Sequence, residues 1–231
     1  MARIVKEHAV RRNEILDVAQ RLVYTKGYEQ MAIQDILNEL QIAKGTVYHY
    51  FDSKQALLEA LIERMQGEVE QLLLPLVHDP ALSALDKLQR FFATINQQNS
   101  AQKSLALAFM RVWYTDDNAI ARQKMHTTRV KRVTPWLTTI ISQGVQEGSL
   151  TTAYPDQVGR VILSLLDDLV DTLAGLLLSD DPKQNDLSQA ERIVAATTCA
   201  ITLLLGLSSD ALQLADTETL KVWFVEAQDN A

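Results

Sequence analysis

The sequence is poor in the residues that build disulfide-stabilised, turn-rich and membrane-spanning proteins. Its single cysteine, Cys199, cannot form a disulfide within the chain. Eight glycines and five prolines are few for 231 residues, and scarce turn residues favour long helices. No apolar run approaches the roughly 18 residues of a membrane-spanning helix, and the N-terminus shows no signal-peptide pattern. We therefore expect an all-α, cytoplasmic protein without membrane association.

Motifs of common catalytic and metal sites are also missing. The sequence has no phosphate-binding loop, no glycine-rich dinucleotide turn and no nucleophile elbow. A helical di-metal site would need repeated Glu-x-x-His pairs, and the sequence has none. His8, His78 and His126 are too scattered for a local zinc signature, and one cysteine cannot build a Cys-based site. The sequence therefore predicts no enzyme activity, no cofactor and no metal.

Two short amphipathic segments between residues 33 and 51 have the spacing of a helix-turn-helix. The first helix is marked by apolar residues at three- and four-residue spacing, namely Ile33, Ile36, Leu37 and Leu40. The turn at 41–43 is short, and Ile42 and Val47 can hold the second helix across the first. The second helix of such a pair can lie in the major groove of DNA.

The second helix carries many side chains that suit DNA. Lys, Thr and Tyr donors suit phosphate oxygens, and Lys or His can reach base acceptors in the groove. Gly45 lacks a side chain, which would let the helix backbone approach the duplex closely. Val47 and Phe51 are expected to face inward. The predicted DNA-binding residues are Gln34, Lys44, Gly45, Thr46, Tyr48, His49, Tyr50 and Lys54.

These residues resemble the N-terminal motif of the TetR/AcrR-type transcriptional regulators. That motif runs roughly Thr-x-x-x-Asp-Ile-Ala, a short turn, then Gly-Thr-x-Tyr-x-Tyr-Phe-x-x-Lys-x-x-Leu. The matching residues are Asp35-Ile36, Gly45-Thr46, Tyr48, Tyr50-Phe51, Lys54 and Leu57-Leu58. The resemblance is close over residues 10–65. It implies an N-terminal three-helix DNA-binding unit with a helix-turn-helix, joined by a long helix to a C-terminal helical bundle that dimerises.

The resemblance also implies a function. The implied function is that of a homodimeric transcriptional regulator, which in this family is usually a repressor. Such a regulator binds a palindromic double-stranded DNA operator and responds to a small-molecule effector. We expect residues 1–54 to bind DNA and residues 55–231 to bind the effector and to dimerise. An effector that shifts the long helix after Ser53 would change the spacing of the two recognition helices. The alternative is a helical small-molecule-binding or interaction protein with a non-functional helix-turn-helix.

Three residues depart from the family pattern at the helix starts. Met31 and Ala32 stand where hydroxyl residues are usual, and Ala43 ends a turn that usually closes with serine. Both helices of the motif are therefore expected to begin without a side-chain hydroxyl cap. We assign no binding role to these three residues, and Gln34 is the donor that could substitute.

The net charge of −7 is unevenly distributed along the chain. Residues 1–54 hold eight Lys/Arg and seven Asp/Glu, whereas residues 55–231 hold fourteen and twenty-two. The basic residues of the first part include Arg3, Lys6, Arg11 and Arg12 near its start. Only this end of the chain suits a phosphate backbone, and the acidic remainder would be repelled by DNA.

Helical periodicity continues through the rest of the chain. A first helix over 8–26 should end at Gly27, and a long helix should begin after Ser53 and stop at about Leu74, before Pro75. Further helices are predicted near 82–98, 101–114, 117–147, 155–178, 187–207 and 210–227. Pro135 should kink or split the helix over 117–147.

Two of these helices, over 158–178 and 187–207, predict the dimer interface. The apolar arc of the first is wider than one neighbour can cover, and small residues in the second permit close helix approach. The predicted interface residues are Ile162, Leu166, Leu169, Leu173, Ile193, Thr197, Ile201 and Leu204. The alternative is that both helices form the internal core of a monomer.

Aromatic and methionine residues in the central segments predict an effector pocket with a few polar points. The candidate lining residues are Phe92, Phe109, Met110, Trp113, Tyr114, His126 and Trp136. The alternative reading of such residues at helical spacing is plain core. Asp167, Asp168 and Asp171 could receive a cation, although a solvated helix face explains them more simply.

Overall fold

A computed structural model describes residues 8–179 and 186–224 of the chain. Within these residues it has ten α-helices, one short 3₁₀ turn at Asp116–Asn118 and no β-strand, so the all-α prediction is confirmed. The helices are α1 His8–Lys26, α2 Ile33–Leu40, α3 Lys44–Tyr50, α4 Lys54–His78, α5 Ala84–Ala101, α6 Lys103–Trp113, α7 Ala119–Glu147, α8 Val158–Leu177, α9 Leu187–Leu205 and α10 Thr217–Phe224.

The helices form two compact units. One contains the chain up to Glu68 together with Ser104–Ala121, and the other contains Val69–Lys103 together with the chain from Arg122 onward. The first unit thus includes the first part of α4, which sequence reasoning assigned to the C-terminal domain. The assignment of DNA binding to residues 1–54 and of effector binding to residues 55–231 stays a prediction.

The first unit is built around one apolar face of α1. Five residues of that face are buried, namely Ile15, Leu16, Ala19, Leu22 and Val23, and Gly27 ends the helix with a φ of +82°, as predicted. Further buried residues come from the next three helices and their connections, namely Met31, Ile36, Leu37, Val47, Phe51, Leu57, Leu58 and Leu61. Arg64 of α4 binds Asp17 of α1 at 2.7 Å, which fixes the two helices to each other.

Helix α4 begins where the sequence predicts and ends later. The Ser53 hydroxyl oxygen accepts a hydrogen bond from the Ala56 N–H at 3.0 Å, as expected of an N-cap. The helix does not stop before Pro75 but continues through it to His78. Proline removes one backbone donor, and burial of Leu73 and Val77 on either side compensates for that loss.

The second unit has one large apolar core, which is contributed by the end of α4 and by α5, α7, α8, α9 and α10. Of the kink or split predicted at Pro135, the split does not occur. Helix α7 continues through this residue because the residues that follow, Leu137, Ile140 and Ile141, are fully buried in this core. A Cβ at Gly159 of α8 would lie 3.1 Å from the Leu137 Cβ, so glycine allows α8 to pack closely on α7. Helix α10 is shorter than predicted, and residues 225–227 of that prediction lie outside the described residues.

A buried lysine joins three helices of the second unit. The Lys87 ammonium donates to the Val77 carbonyl oxygen at 2.8 Å and to Gln143 Oε1 at 2.8 Å. The Glu147 carboxylate accepts a hydrogen bond from the Ala84 N–H at 2.9 Å, and this bond holds the pKa of Glu147 below its ordinary value. These contacts link the end of α4, the start of α5 and the end of α7.

Candidate nucleic-acid interface

Residues 33–50 form the predicted pair of short helices. Ile36 and Leu37 of α2 and Val47 of α3 are buried, so each helix has one face in the core of the first unit. Gln41 adopts a left-handed conformation with φ 50° and ψ 47°, and its N–H donates to the Leu37 carbonyl oxygen. The turn connects the two helices through three residues, 41–43, and α3 packs against α2.

The outer face of α3 carries the donors that the sequence singles out. Lys44, Tyr48 and His49 are exposed, whereas Thr46 and Tyr50 are half-buried. The Lys44 ammonium lies 5.6 Å from the centroid of the Tyr48 ring, one helical turn along the same face. The helix thus presents a cation, a phenol and an imidazole to solvent while its opposite side is anchored by Val47.

Gly45 lies on this exposed face, and the fold does not require a glycine there. A Cβ built at Gly45 would have none of the described atoms within 4 Å, and its backbone is not in the left-handed region. An alanine would therefore fit into the free chain without strain. The missing side chain leaves the α3 backbone open to an approaching molecule.

A cluster of aromatic rings joins the start of α1 to the end of α3. The His8 ring lies 4.5 Å from the Tyr50 ring and 5.7 Å from the His49 ring, measured between centroids. The sequence analysis considered His8 only as a metal ligand and missed this contact. Because the two segments are far apart in the chain, no local pattern could have indicated it.

The starts of α2 and α3 lack side-chain caps, as the sequence predicts. Neither Ala32 nor Ala43 provides a side-chain hydrogen bond. At α2 the Asp35 carboxylate accepts a bond from the Ala32 N–H at 2.9 Å and pairs with Lys26 at 3.0 Å. The Ala32 bond first and Lys26 second hold the pKa of Asp35 below its ordinary value. Met31 is buried in the core of the unit.

Two other predicted DNA-binding residues have partners within the first unit. Gln34 is exposed at the start of α2, and its amide donates to Asn38 Oδ1 at 2.8 Å. Lys54 is half-buried, and its ammonium donates to the Glu29 carbonyl oxygen at 3.2 Å.

The predicted basic residues near the start of the chain also have partners where the structure describes them. Arg11 pairs with Glu14 at 2.8 Å, and the Arg12 guanidinium lies 5.4 Å from the centroid of the Phe51 ring. Arg3 and Lys6 lie outside the described residues.

A sequence profile of bacterial regulatory proteins of the tetR family matches residues 15–61, the part of the chain that runs from α1 into α4. Residues 15–61 thus match the TetR family. This confirms the resemblance seen in the residues around α2 and α3.

Individual relatives agree with this assignment. The chain is 42% identical over 52 residues to an uncharacterized HTH-type transcriptional regulator of Lactococcus lactis, which is 22% of this chain and 26% of that protein. It is 29% identical over 87 residues to the HTH-type transcriptional repressor NemR of Escherichia coli, which is 37% of this chain and 44% of that protein. The chain therefore matches less than half the length of either relative.

Solved structures share the fold of most of the chain. A TetR transcription regulator from Haloarcula marismortui superposes with a TM-score of 0.60, over 83% of this chain and 98% of that chain. The two sequences are 21% identical, so this likeness concerns the fold. Within the described residues, no helix is both long and apolar enough to span a membrane, and no three His, Cys, Asp or Glu side chains form a group that could hold a metal ion.

The predicted effector-pocket residues are divided between the two units. Phe109, Met110, Trp113 and Tyr114 belong to the first unit, where Phe109 is buried and the other three are half-buried. Phe92, His126 and Trp136 belong to the second unit. There Phe92 is buried in the core and packs edge-on against Phe91 with 5.6 Å between ring centroids. Trp136 packs against the same core.

His126 and Asp167 form part of an ionic cluster in the second unit. His126 Nδ1 lies 2.7 Å from a carboxylate oxygen of Asp167, and Arg129 pairs with the other oxygen. The Asp167 side chain is only 12% exposed, so it does not belong to a solvated face, whereas Asp168 and Asp171 are exposed. Asp167 serves to join α8 to α7.

The eight predicted dimer-interface residues divide by burial. Ile162, Leu169 and Ile201 are buried within the chain, so they have little area left to bury against a second copy. The other five, Leu166, Leu173, Ile193, Thr197 and Leu204, are half-buried. The exposed residues of α9 are others than those predicted. They are polar in the first half of the helix and small or apolar further along, namely Ser188, Gln189 and Arg192, then Ala195, Ala196, Cys199 and Leu203.

Proposed function

We propose that this TetR-family chain is a sequence-specific DNA-binding transcriptional regulator. In this proposal it is a ligand-responsive repressor that reads a palindromic operator as a homodimer. The observation that carries the proposal is the outer face of α3. Lys44, Tyr48 and His49 are exposed there on a helix that Val47 anchors in the core, and Gly45 leaves the backbone open between them.

These groups match the chemistry of a duplex. The Lys44 ammonium and the Tyr48 hydroxyl can donate to phosphate oxygens, and an imidazole can reach base acceptors in the major groove. The unused space at Gly45 suits a helix backbone that lies against DNA, since a Cβ there would stand between the two. Two relatives, one named as a transcriptional regulator and one as a transcriptional repressor, point to the same activity.

Salt-dependent binding to a selected palindromic duplex tests the DNA-binding claim. Each lysine that neutralises a phosphate contributes about 0.9 to the slope of log affinity against log salt, so Lys44→Ala should lower that slope by about one per protomer. Lys131→Ala is the matched control, because Lys131 is an exposed lysine of the second unit and should leave the slope unchanged. A purified protein that preferred no duplex sequence would refute the proposal and favour the non-functional helix-turn-helix.

The homodimer is supported by the exposed face of α9. Leu203 is 73% exposed, and its neighbours on that face are small enough for another helix to approach closely. A dimer would bury Leu203 and would carry two recognition helices about 34 Å apart, or a multiple of that distance, as a palindrome requires.

Analytical ultracentrifugation of Leu203→Glu tests the dimer. A buried carboxylate at a helix–helix contact should convert the dimer to monomers at micromolar concentration. Ile120→Glu is the control, since Ile120 is equally exposed, at 73%, but lies in the other unit. If the wild-type protein sediments as a monomer, the homodimer is refuted.

The ligand response rests on membership of the family and on the aromatic residues around α6. Trp113 and Tyr114 are half-buried, and each combines an apolar body with a polar group. Compounds that release a fluorescently labelled duplex from the wild-type protein should be less potent on the Trp113→Ala variant. They should be equally potent on the control variant Trp223→Ala, because Trp223 is a half-buried tryptophan of α10. Equal potency against both variants would remove Trp113 from the effector site.

A further inference from the structure

Three basic side chains form a row along α7 in the second unit. This basic row consists of His126, Arg129 and Arg132, which recur every three residues and therefore lie along one side of the helix. Their side chains are 37%, 32% and 35% exposed, respectively. The row contacts two carboxylates from other helices, Asp167 of α8 and Glu70 of α4, which are only 12% and 17% exposed. The accessible part of this ionic cluster is therefore basic, and its acidic part is covered.

The two carboxylates occupy only some of the donors in the basic row. Asp167 lies 2.7 Å from His126 Nδ1, so the other ring nitrogen, Nε2, is left for a further partner. Glu70 lies 3.0 Å from one terminal nitrogen of the Arg132 guanidinium. The Arg132 Nε is buried and has no acceptor among the described residues. A buried donor of a charged group is costly to leave without an acceptor, so a ligand that supplied one would be bound favourably.

The arrangement favours a negatively charged ligand over a positively charged one. An anion that approaches α7 meets the exposed basic groups first, and guanidinium groups bind carboxylates and phosphates through two parallel hydrogen bonds. A cation would have to displace His126 and Arg129 to reach the Asp167 carboxylate, whose two oxygens they occupy. It would likewise have to displace Arg132 from Glu70. Each displacement would break an existing ion pair.

An apolar side chain follows the basic row on the same side of α7. Trp136 comes four residues after Arg132, which is about one helical turn, and it is half-buried against the core of the second unit. A ligand whose charged group binds Arg132 can therefore place an apolar body beside the indole ring. Small organic acids and phosphate esters have this form.

We propose that the basic row binds the oxyanion of an organic effector, a carboxylate or a phosphate ester, through His126 and the two arginines. This proposal rests on the proposed function, because it names the chemistry of the effector to which the regulator responds. His126 and Trp136 are among the pocket residues that the sequence predicts, whereas the arginines are not. Only the folded helices bring the carboxylates of α4 and α8 to these arginines.

Titration calorimetry of the full chain with four small probes tests the site without DNA. Benzoate and phenyl phosphate carry the two candidate oxyanions, benzamide is the neutral analogue of benzoate, and benzylamine is a cation. At constant ionic strength, at least one of the two anions should bind about ten-fold more tightly than benzamide and benzylamine, because charge-assisted hydrogen bonds add to its affinity. The anion that binds more tightly identifies the source of the oxyanion. Anions that bound no more tightly than benzamide would overturn the proposal.

Two substitutions within one ion pair should shift the affinity for the tighter anion in opposite directions. Arg132→Gln removes a guanidinium and should weaken binding about ten-fold, whereas Glu70→Gln removes the carboxylate that competes for Arg132 and should strengthen binding about five-fold. Both variants lose the same ion pair, so a merely structural role would weaken binding in both. Arg160→Gln, at an exposed arginine of α8, is the control and should bind like the wild type. Unchanged or weaker binding by Glu70→Gln would contradict the proposal.

The effect of the tighter anion on DNA binding tests its role as an effector. At constant ionic strength, a saturating concentration should weaken binding of the selected palindromic duplex about five-fold in the wild type and should leave it unchanged in Arg132→Gln. Anion binding that left the affinity for DNA unchanged would overturn the proposal, since an effector must prefer one of two states. If the wild-type protein bound no duplex specifically, the proposed function would fail, while calorimetry would still show whether the basic row binds an oxyanion.

Discussion

Gly206 ends α9 in a backbone conformation that only glycine adopts without strain at this position. Its φ is +65°, and a Cβ there would lie 2.8 Å from the Thr151 carbonyl oxygen and 2.8 Å from the Thr151 Cβ. The Thr151 N–H donates to the Leu205 carbonyl oxygen at 2.8 Å. The segment that a methyl group at position 206 would meet is therefore hydrogen-bonded to the end of α9. It cannot move away without breaking that bond.

These contacts give the expected cost of Gly206→Ala. A non-glycine residue in the left-handed region costs about 1–2 kcal/mol. An extra methyl group forced into a packed site adds roughly 1–3 kcal/mol. Reduced freedom of the unfolded chain returns about 0.4–1 kcal/mol. Gly206→Ala should therefore destabilise the second unit by about 3 kcal/mol.

Gly148→Ala isolates the conformational part of this cost. Gly148 ends α7 with a φ of +71°, but a Cβ there would meet none of the described atoms within 4 Å. The two variants share the backbone strain and differ in the clash, so their free energies of unfolding should differ by roughly 1–3 kcal/mol. Urea titration followed by circular dichroism measures both. Equal destabilisation by the two substitutions would refute the argument that Thr151 restricts this position.

Three other positions yield predictions. Gln41→Gly should raise the free energy of unfolding by about 0.5–1 kcal/mol, because Gln41 is an exposed non-glycine residue with positive φ; urea titration measures this. Lys87→Met should lower the free energy of unfolding by about 2 kcal/mol in the same assay, because the Val77 carbonyl oxygen would lose its buried donor. An unchanged urea midpoint would count against the hydrogen bond from Lys87 to Val77. The hydrogen bond from the Ala32 N–H to the Asp35 carboxylate should be fully present above the ordinary carboxyl pKa of about 4 and should be lost as pH falls through the lowered pKa of Asp35. An NMR titration of the Asp35 carboxyl carbon measures this pKa. An ordinary pKa for Asp35 would contradict the prediction.

Local sequence patterns were sufficient for most of the helices. The buried face of α1 is encoded by apolar residues three and four apart. Gly27 ends α1 through its own backbone conformation, and Ser53 begins α4 through its hydroxyl group. Such features depend on neighbours within one or two turns. For the same reason the sequence predicted the pair α2 and α3 and the missing caps at Ala32 and Ala43.

Contacts between distant segments could not be predicted in this way. Pro75 and Pro135 both suggest helix ends locally, yet α4 and α7 continue because burial of their apolar residues outweighs one lost hydrogen bond each. Asp167 looks like part of a solvated face in the sequence, and only the packing of α8 on α7 brings it to His126. Lys54 is the clearest example at the candidate site, since its partners lie 25 and more positions away.

The charge of the first unit explains why a single copy would bind DNA weakly. Within residues 8–68, four basic residues pair with carboxylates of the same unit, namely Arg11, Arg21, Lys26 and Arg64. Those charges are largely compensated, so they add little to the attraction of a phosphate backbone. Lys44 on α3 pairs with an aromatic ring, which leaves its charge available for DNA. Because one copy then offers few uncompensated cations, the proposed regulator would need two recognition helices bound at once for specific affinity. In the proposed dimer, an interface on α9 would set their spacing and so determine which operators are bound.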